Sequence, residues 1–388
     1  MRICLVYDCL FPHTVGGAER WYRNLAERLV AEGHEVAYLT LRQWERGAQP
    51  DIDGRVRVVI AGPRMALYTE DGRRRIGPPL VFGLGVLWHL LRHGRRYEVV
   101  HTCSFPYFSL LAAALARPLG RFRLVVDWFE VWSAGYWREY LGAAGGRIGA
   151  LVQRACVAVP QRAFCFSELH ARRLREEGCR GPVVVLRGLY RGSATPARPR
   201  AAEPVVLCAG RLIPEKRVAL GVAAVVAAAR RIDGLRGVFY GDGPEREALR
   251  EAITAHGAEA IVDALGFVET DVVDAAFGRA LCMLSTSRRE GYGMVVVEAS
   301  AHATPSVVVA GEDNAAVELV EEGVNGVIAA SADPEAVAAA IVRVHEAGMA
   351  MRESTARWFA ENAEQLSLES SLRTVLASYA PAGGSAAR

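Results

Sequence analysis

Ser287-Arg288-Arg289-Glu290-Gly291-Tyr292-Gly293-Met294-Val295-Val296-Val297-Glu298-Ala299-Ser300 is the stretch against which the rest of the sequence is read. It follows an apolar run, Ala280 to Leu284, bounded by Ser285, Thr286 and Ser287, and that pattern predicts a buried strand. Gly291 and Gly293 permit backbone torsions closed to other residues and leave room for a ligand against the main chain. From Met294 the pattern becomes helical. A strand, a glycine turn and a helix opening with free N–H groups is an arrangement that holds an anion. Met294 and Val295 would supply those N–H groups. The glycines break any helix between the two glutamates, so Glu290 falls in the turn and Glu298 about one turn into the helix. A carboxylate at each place lets the turn hold one end of an anionic ligand and the helix hold its hydroxyl-bearing part. The plainer reading is a strand–turn–helix with two solvated glutamates.

Composition bounds the problem. With 388 residues, 51% of them apolar, the chain is long enough for two globular domains with full cores. A net charge of +3 is too small to imply nucleic acid, and the aromatic-basic alternation of an RNA-binding sheet is absent from the sequence. Met1 leads straight into a strand-like run, Arg2 to Tyr7, in place of a signal peptide. The longest apolar stretch, Pro78 to Leu91, is shorter than the roughly 20 residues that span a bilayer. The 8 cysteines are scattered without a CxxC pair, which suits buried free thiols and not a zinc site or disulfide frame. Together these features predict a cytoplasmic protein. Of the 46 basic residues all but Lys216 are arginine, so the lone lysine marks a position that wants a compact ammonium charge.

Taken in order, Arg2–Tyr7 reads as a strand, and Gly16-Gly17 opens a helix from Ala18 to about Ala31 that Gly33 closes. Glu35–Leu41 reads as the next strand. That order is a parallel α/β unit of the doubly wound kind without the GxGxxG fingerprint, so the turn suits a smaller phosphate contact or an acceptor loop. Asp51-Ile52-Asp53 has the letters of a metal-binding DxD but lies in a polar connection before the strand Val56–Ile60, and no metal is expected there. Pro79–Arg92 reads as an apolar helix flanked by Arg73-Arg74-Arg75 and by Arg92, Arg95 and Arg96. Peripheral contact with an anionic membrane is one use of such a helix. Packing on its own sheet, with the arginines in water, is the favoured one.

Glu98–His101 and Arg123–Val126 are further strands. After the second come Asp127-Trp128-Phe129-Glu130-Val131-Trp132 and Tyr136-Trp137-Arg138-Glu139-Tyr140. Ligands of a doubly wound sheet bind outside the carboxyl ends of strands, so this aromatic, acidic segment is expected at a cleft. With His101 it offers an acceptor side: Trp128, Phe129, Trp132, Tyr136 and Trp137 as platforms, Asp127 and Glu130 as carboxylates. An aromatic cluster covering the sheet is the alternative. The helices Arg147–Val159 and Ser167–Glu177 and the strands Ala163–Phe166 and Val183–Leu186 complete a first domain over 1–190, and 191–204 reads as a linker.

A second α/β series fills 205–355. Val205–Ala209 is a strand followed by Gly210-Arg211-Leu212-Ile213-Pro214-Glu215-Lys216-Arg217 and a helix to about Arg231. Gly237–Tyr240 is a strand ending in Gly241-Asp242-Gly243-Pro244-Glu245. If these units share one parallel sheet, Arg211 and Lys216 face the same cleft edge as the Gly291–Gly293 turn. Further strands are read at Ser306–Val309 and Gly326–Ala329, and Pro334–Ala347 is read as a helix. A helical segment at 356–380 is expected to pack back toward the first domain, with 381–388 as a disordered tail.

Gly16-Gly17-Ala18-Glu19, Gly210-Arg211-Leu212 through Glu215-Lys216, Gly241-Asp242-Gly243-Pro244-Glu245, and Glu290-Gly291-Tyr292-Gly293 with Glu298 resemble, in this order along nearly the whole chain, the family 4 glycosyltransferases. The resemblance implies the GT-B fold, in which two Rossmann-like doubly wound α/β domains face each other across a cleft. It also implies a retaining, metal-independent hexosyltransferase that uses a nucleotide-diphosphate sugar, with no cofactor. By position, Arg211 and Lys216 would hold the donor diphosphate with the N–H groups from Gly293 onward. Glu298 would meet the ribose hydroxyls and Glu290 the transferred sugar, while Gly16 and Gly17 would let the first loop approach the diphosphate. Two departures stand out. Phe129 occupies the place of a histidine usual near the reacting sugar, leaving Asp127 or Glu130, or the leaving phosphate, to take the acceptor's proton. Ala303-Thr304-Pro305 stands where a glycine is usual.

The resulting expectation is transfer from a UDP- or GDP-sugar to a hydroxyl of a small soluble acceptor of the natural-product or amino-cyclitol type. Transfer to a lipid-linked or cell-envelope glycan is the competitor. A nucleotide-sugar epimerase and a donor-binding protein without turnover are the readings from other classes.

Overall fold

Short buried apolar runs, each ending in a glycine or polar turn before a helical stretch, impose strand–helix alternation, and the computed structural model shows two such series. The structure describes residues 1–45, 47–67, 69 and 74–380, so Arg73 of the arginine run and the 381–388 tail lie outside the described residues.

The first compact unit runs to Leu186 and takes up the chain again from Ser371. Its strands are β1 (Arg2–Val6), β2 (Glu35–Leu41), β3 (Arg57–Gly62), β4 (Val99–Cys103), β5 (Arg123–Trp128), β6 (Arg162–Cys165) and β7 (Val183–Val185). All pair in parallel, in the order β3-β2-β1-β4-β5-β6-β7. The central strands are buried on both faces, as a parallel sheet sandwiched between helices requires. The helices are α1 (Gly17–Ala31), α2 (Gly77–His93), α3 (Tyr107–Gly120), α4 (Ala134–Val157) and α5 (Glu168–Glu176). As expected, Ser167 caps α5, its Oγ accepting the His170 N–H at 3.4 Å.

One reading is corrected here. The helix read from Arg147 starts earlier, and Tyr136 to Tyr140 form the opening turns of α4, because Ser133 Oγ accepts the Tyr136 N–H at 3.2 Å and starts the helix there. Gly142, at φ 74° and ψ −179°, kinks α4.

The second unit holds Arg187–Ser370. Its strands are β8 (Val205–Ala209), β9 (Arg236–Tyr240), β10 (Val262–Gly266), β11 (Cys282–Ser285), β12 (Arg289–Glu290), β13 (Ser306–Val309), β14 (Asp313–Asn314) and β15 (Gly326–Ala329). The main sheet has the order β10-β9-β8-β11-β13-β15, and the two-residue strands β12 and β14 pair with each other. Helices α6 (Val218–Ala229), α7 (Arg246–Ala255), α8 (Thr270–Phe277), α9 (Met294–Ala301) and α10 (Pro334–Leu366) cover it, and α11 (Leu368–Ser378) follows. The core gathers Val206, Val222, Phe239, Leu284, Val307 and Ile341. Buried Arg352 ties α10 to the end of α8, donating to the carbonyls of Ala280 at 2.6 Å and Gly278 at 2.8 Å. Ala303 takes a left-handed backbone, φ 56°, at the turn where a glycine would enter without cost.

Each sheet reverses its order beside its first strand, at β1/β4 and at β8/β11. Loops leaving the carboxyl ends of strands on either side of such a reversal diverge and open a crevice. The glycine turn of the opening stretch leaves β11, and the lysine loop leaves β8.

Candidate functional site

The β8/β11 crevice contains a pocket. Gly210, Arg211, Leu212 and Lys216 line it from the β8 loop, Ser285, Thr286, Ser287 and Glu290 from the β11 loop, and Gly293, Met294 and Val295 from the start of α9. Sequence reasoning expected Arg211, Lys216 and the glycine turn to share an edge, and the fold brings them together.

The two loops are stitched to each other. The Lys216 ammonium is ion-paired with Glu290 Oε1, an oxygen that also accepts from Ser287 Oγ at 2.7 Å. Arg217 donates to the carbonyls of Thr286 at 2.7 Å and Ser287 at 3.1 Å, and Thr286 Oγ1 returns a bond to the Lys216 carbonyl at 2.7 Å. Arg217 does this from a left-handed backbone, φ 49°, at the start of α6, a conformation uncommon for a side-chain-bearing residue. Burial, then the neighbouring Arg288 charge, lowers its pKa. Buried Asn314 holds the β11 loop from the other side, donating to the carbonyls of Ser287 at 3.1 Å and Val309 at 2.8 Å. Arg217, Thr286, Ser287 and Asn314 were not singled out from sequence. Only adjacency to Lys216 and Glu290 could have flagged the first three, and only a polar run after β13 the fourth.

Gly293 caps α9 at φ 106°, and a Cβ there would meet Ala316 Cβ at 2.6 Å. No other residue fits without displacing that contact. The cap carries no side-chain acceptor, so the first N–H groups of α9 open toward the pocket lined by Arg211 and Lys216. Arg211 is exposed and, among the described residues, has no ion-pair partner, so its guanidinium is available to an anion. Lys216, by contrast, is held by Glu290.

Other predicted donor residues sit behind this surface. Glu298 is half-buried in α9 and is not a lining residue; burial, then the charges of Asp274 and Glu298, raises the Tyr190 pKa. Tyr292 is buried with its hydroxyl donated to the Arg187 carbonyl, so the pocket meets its backbone neighbours and not its ring. Gly241 supports from below: at φ 134° its missing Cβ would stand 1.8 Å from the Gly210 carbonyl oxygen. In the first unit Gly16 is the residue before α1, and a Cβ there would meet the Glu19 carboxylate at 2.3 Å, whereas Gly17 faces open space.

The acceptor-side residues divide. Asp127 and His101 are fully buried, so the roles of acceptor-orienting base and acceptor contact are corrected for this pair. Asp127 Oδ2 accepts from Trp21 Nε1 at 2.7 Å, its Oδ1 lies 2.9 Å from His101 Nε2 without hydrogen-bond alignment, and His101 Nδ1 meets the Tyr379 hydroxyl at 2.5 Å. This chain of polar groups anchors α1 and the end of the chain to the sheet. Trp128 is also fully buried, donating to Gln161 Oε1 at 2.8 Å, and Tyr136 and Trp137 are buried in α4. Phe129 remains half-buried, stacked on Phe166 with ring centroids 4.5 Å apart. Glu130 is half-buried and accepts from Trp132 Nε1 at 2.7 Å. The aromatic cluster covering the sheet is thus the better description of most of this segment, with Phe129, Glu130 and Trp132 left at its edge.

No group of three or more potential metal ligands occurs among the described residues. Asp53 of the DxD is bound to Arg55 through both carboxylate oxygens, which holds its pKa down at about 2. All eight cysteines are free, six of them buried.

Comparison with known proteins agrees with this geometry. Residues 16–188 match the model of the glycosyl transferase 4-like domain, and residues 196–366 match that of glycosyl transferases group 1. Over 148 residues the chain is 34% identical to the GDP-mannose-dependent alpha-(1-6)-phosphatidylinositol monomannoside mannosyltransferase of Mycobacterium tuberculosis, covering 36% of this chain and 38% of that one. Over 125 residues it is 30% identical to the alpha-D-kanosaminyltransferase of Streptomyces kanamyceticus, covering 32% of each. The matched stretches span about a third of the length of these relatives. The sucrose-phosphate synthase of Thermosynechococcus elongatus has a similar fold, with TM-score 0.77 over 97% of this chain and 98% of that one at 19% identity.

Proposed function

Since the chain belongs to the group 1, 4-like glycosyltransferases of the GT-B fold, we propose that it transfers a hexose-like sugar from a UDP- or GDP-sugar to an acceptor hydroxyl in the cytoplasm. The observation that carries this reading is the convergence of Arg211, Lys216 and the N-terminus of α9 on one pocket at the β8/β11 crevice. A leaving nucleoside diphosphate gathers negative charge, and fixed cations with helix N–H groups stabilise that charge without reorganising. Each hydrogen bond to such a charged group contributes about 1.5–3 kcal/mol.

On this reading the diphosphate needs no divalent ion, Glu290 orients the transferred sugar, and Glu298 meets the ribose. The anomeric configuration is retained. With Asp127 buried, Glu130 or the leaving phosphate takes the acceptor's proton.

The burial of Trp128, Tyr136 and Trp137 removes most of the aromatic platform that favoured a small soluble acceptor. A lipid-linked acceptor is the second reading. It is supported by the name of the mannosyltransferase relative and by an exposed apolar face on α2.

The test is incubation with nucleotide sugars and a panel of amino-cyclitol and lipid-linked acceptors, read by mass spectrometry, with and without a chelator. Proton NMR of the product reads the anomer. A glycosylated acceptor with retained configuration, undiminished by chelator, is expected. Recovery of an epimerised free donor would assign the chain to the epimerases, and donor binding without turnover would make it a binding protein.

A further inference from the structure

Helix α2 is apolar on both sides, and only one side is used by the fold. Its inner stripe, Phe82, Val86 and Leu90, is buried. Two glycines set how closely it packs: a Cβ at Gly83 would meet Phe108 Cβ of α3 at 2.6 Å, and one at Gly85 would meet the Ala61 carbonyl oxygen of β3 at 1.7 Å. With that side fixed against α3 and the sheet, a second stripe at three- and four-residue spacing faces outward. Along it Ile76 is 62% exposed, Leu80 43%, Leu84 67%, Trp88 63% and Leu91 46%. On neighbouring α3, Leu115 and Leu119 are exposed as well. Single exposed leucines need no explanation, whereas a continuous row of this kind marks an interaction surface.

Charge identifies the occupant. From Ile76, where the stripe starts, to Val126 the sequence has six arginines and one acidic residue, Glu98, a net of +5 in a chain whose total is +3, so the remainder carries −2. The Glu98 carboxylate accepts the Arg2 backbone N–H at 2.8 Å at the start of β1. Arg92 lies over the Trp88 ring, 4.8 Å from its centroid, which places a guanidinium directly on the apolar row. Arg95 donates to the Leu119 carbonyl at 3.2 Å and, with Arg92, Leu91 and Leu119, lines a cavity of about 290 Å³ between the ends of α2 and α3.

We propose that this face docks on an anionic lipid bilayer. The outer stripe of α2 lies in the headgroup–acyl boundary, Trp88 sits at the interface, and Arg92 and Arg95 receive lipid phosphates in the cavity beside them. A helix lying in the membrane surface joins an apolar row to flanking cations whose stems run along it. The amphipathic indole favours the same depth. No helix of the described residues is long and apolar enough to cross a membrane, and lying flat requires neither. The docking face is independent of donor chemistry, so it stands or falls separately from the proposed transfer.

Co-sedimentation of the whole protein with phosphatidylcholine vesicles, with and without phosphatidylglycerol, tests it. Binding that requires the anionic lipid and weakens with salt is expected. Leu84→Glu with Trp88→Glu, and separately Arg92→Glu with Arg95→Glu, should each lower the partition coefficient by at least about tenfold, since each arginine near the surface contributes on the order of 1 kcal/mol. Unchanged thermal melting of these surface variants shows that the fold is intact. Equal sedimentation of variants and wild type, or none with anionic vesicles, overturns the proposal. So does a concentration-dependent dimer that Leu84→Glu dissociates without any vesicle binding, which would make the stripe a protein interface.

Discussion

Lys216 and Glu290, 74 residues apart in the chain, form an ion pair that joins the loop leaving β8 to the loop leaving β11. The chain's one lysine is therefore neutralised by the carboxylate proposed to orient the sugar, while Arg211 beside it is open to an anion. A diphosphate entering the pocket competes with Glu290 for the ammonium. Glu290→Gln should accordingly bind a nucleoside diphosphate at least as tightly as the wild type yet lose most of the transfer rate. Isothermal titration and single-turnover assays read the two effects. A variant that loses affinity and rate together contradicts the division of roles.

Glu298→Ala should weaken binding of the nucleoside diphosphate itself by about tenfold, the equivalent of one hydrogen-bonded charged group. The carboxylate is half-buried one turn inside α9 and does not line the pocket, so the variant tests the proposed ribose contact separately from the diphosphate surface. Equal diphosphate affinity in wild type and variant would remove Glu298 from the site.

Gly293→Ala should destabilise the second unit by about 1–3 kcal/mol, the cost of a strained backbone conformation, and weaken diphosphate binding by displacing the start of α9. The reasons are local: φ is 106°, and the added Cβ would stand 2.6 Å from Ala316 Cβ. Gly54→Ala, where a Cβ meets nothing within 4 Å, is the control. Urea unfolding of the two variants should separate them, and matching midpoints would count against the strain.

Arg352→Met should cost about 2–4 kcal/mol, because two carbonyls at the end of α8 lose a charged donor inside the protein. The defect should appear in urea unfolding, with diphosphate affinity of the folded fraction retained. A stable variant would mean that water replaces the guanidinium there.

His89 gives the first unit an acid limb. Burial, followed by the charges of His93, Arg57 and Arg96, lowers its pKa to about 4, and its Nε2 lies 2.8 Å from the Tyr97 hydroxyl. The unfolded chain takes up the same proton near pH 6.5. Its stabilising effect is therefore complete above about pH 6.5 and is lost as pH falls toward 4. His89→Gln should flatten the fall in melting temperature across that window. Parallel curves for variant and wild type would exclude His89 as the cause.

The pocket at the β8/β11 crevice was legible in the sequence because its parts are local motifs. Gly291 to Glu298 reads as turn and helix by itself, and Lys216 stands out as the lone lysine. The strand order then puts the two loops side by side, as a doubly wound sheet does at its reversal. The acceptor side was not legible, because aromatic content does not say which way a ring faces. Asp127 is withdrawn from any surface by Trp21, His101 and Tyr379, which come from α1, β4 and the far end of the chain. Contacts over such separations leave no local signature. Trp128 was read as a cleft residue for the same reason, and its partner, Gln161, lies beyond α4. The role of Asn314 depends on a two-residue pairing of β12 with β14, too short for any periodicity to announce.

The central claim is that the β8/β11 crevice holds a nucleoside diphosphate through Arg211, Lys216 and the start of α9. A thermal-shift titration with uridine, guanosine and thymidine diphosphates, on wild type and on the Arg211→Ala, Lys216→Ala double variant, tests it most directly. A ligand that binds only the folded state raises the melting temperature with the logarithm of its concentration. The account predicts such a rise for at least one diphosphate in the wild type and its loss in the double variant. No shift with any of them, or the same shift in both proteins, would contradict it.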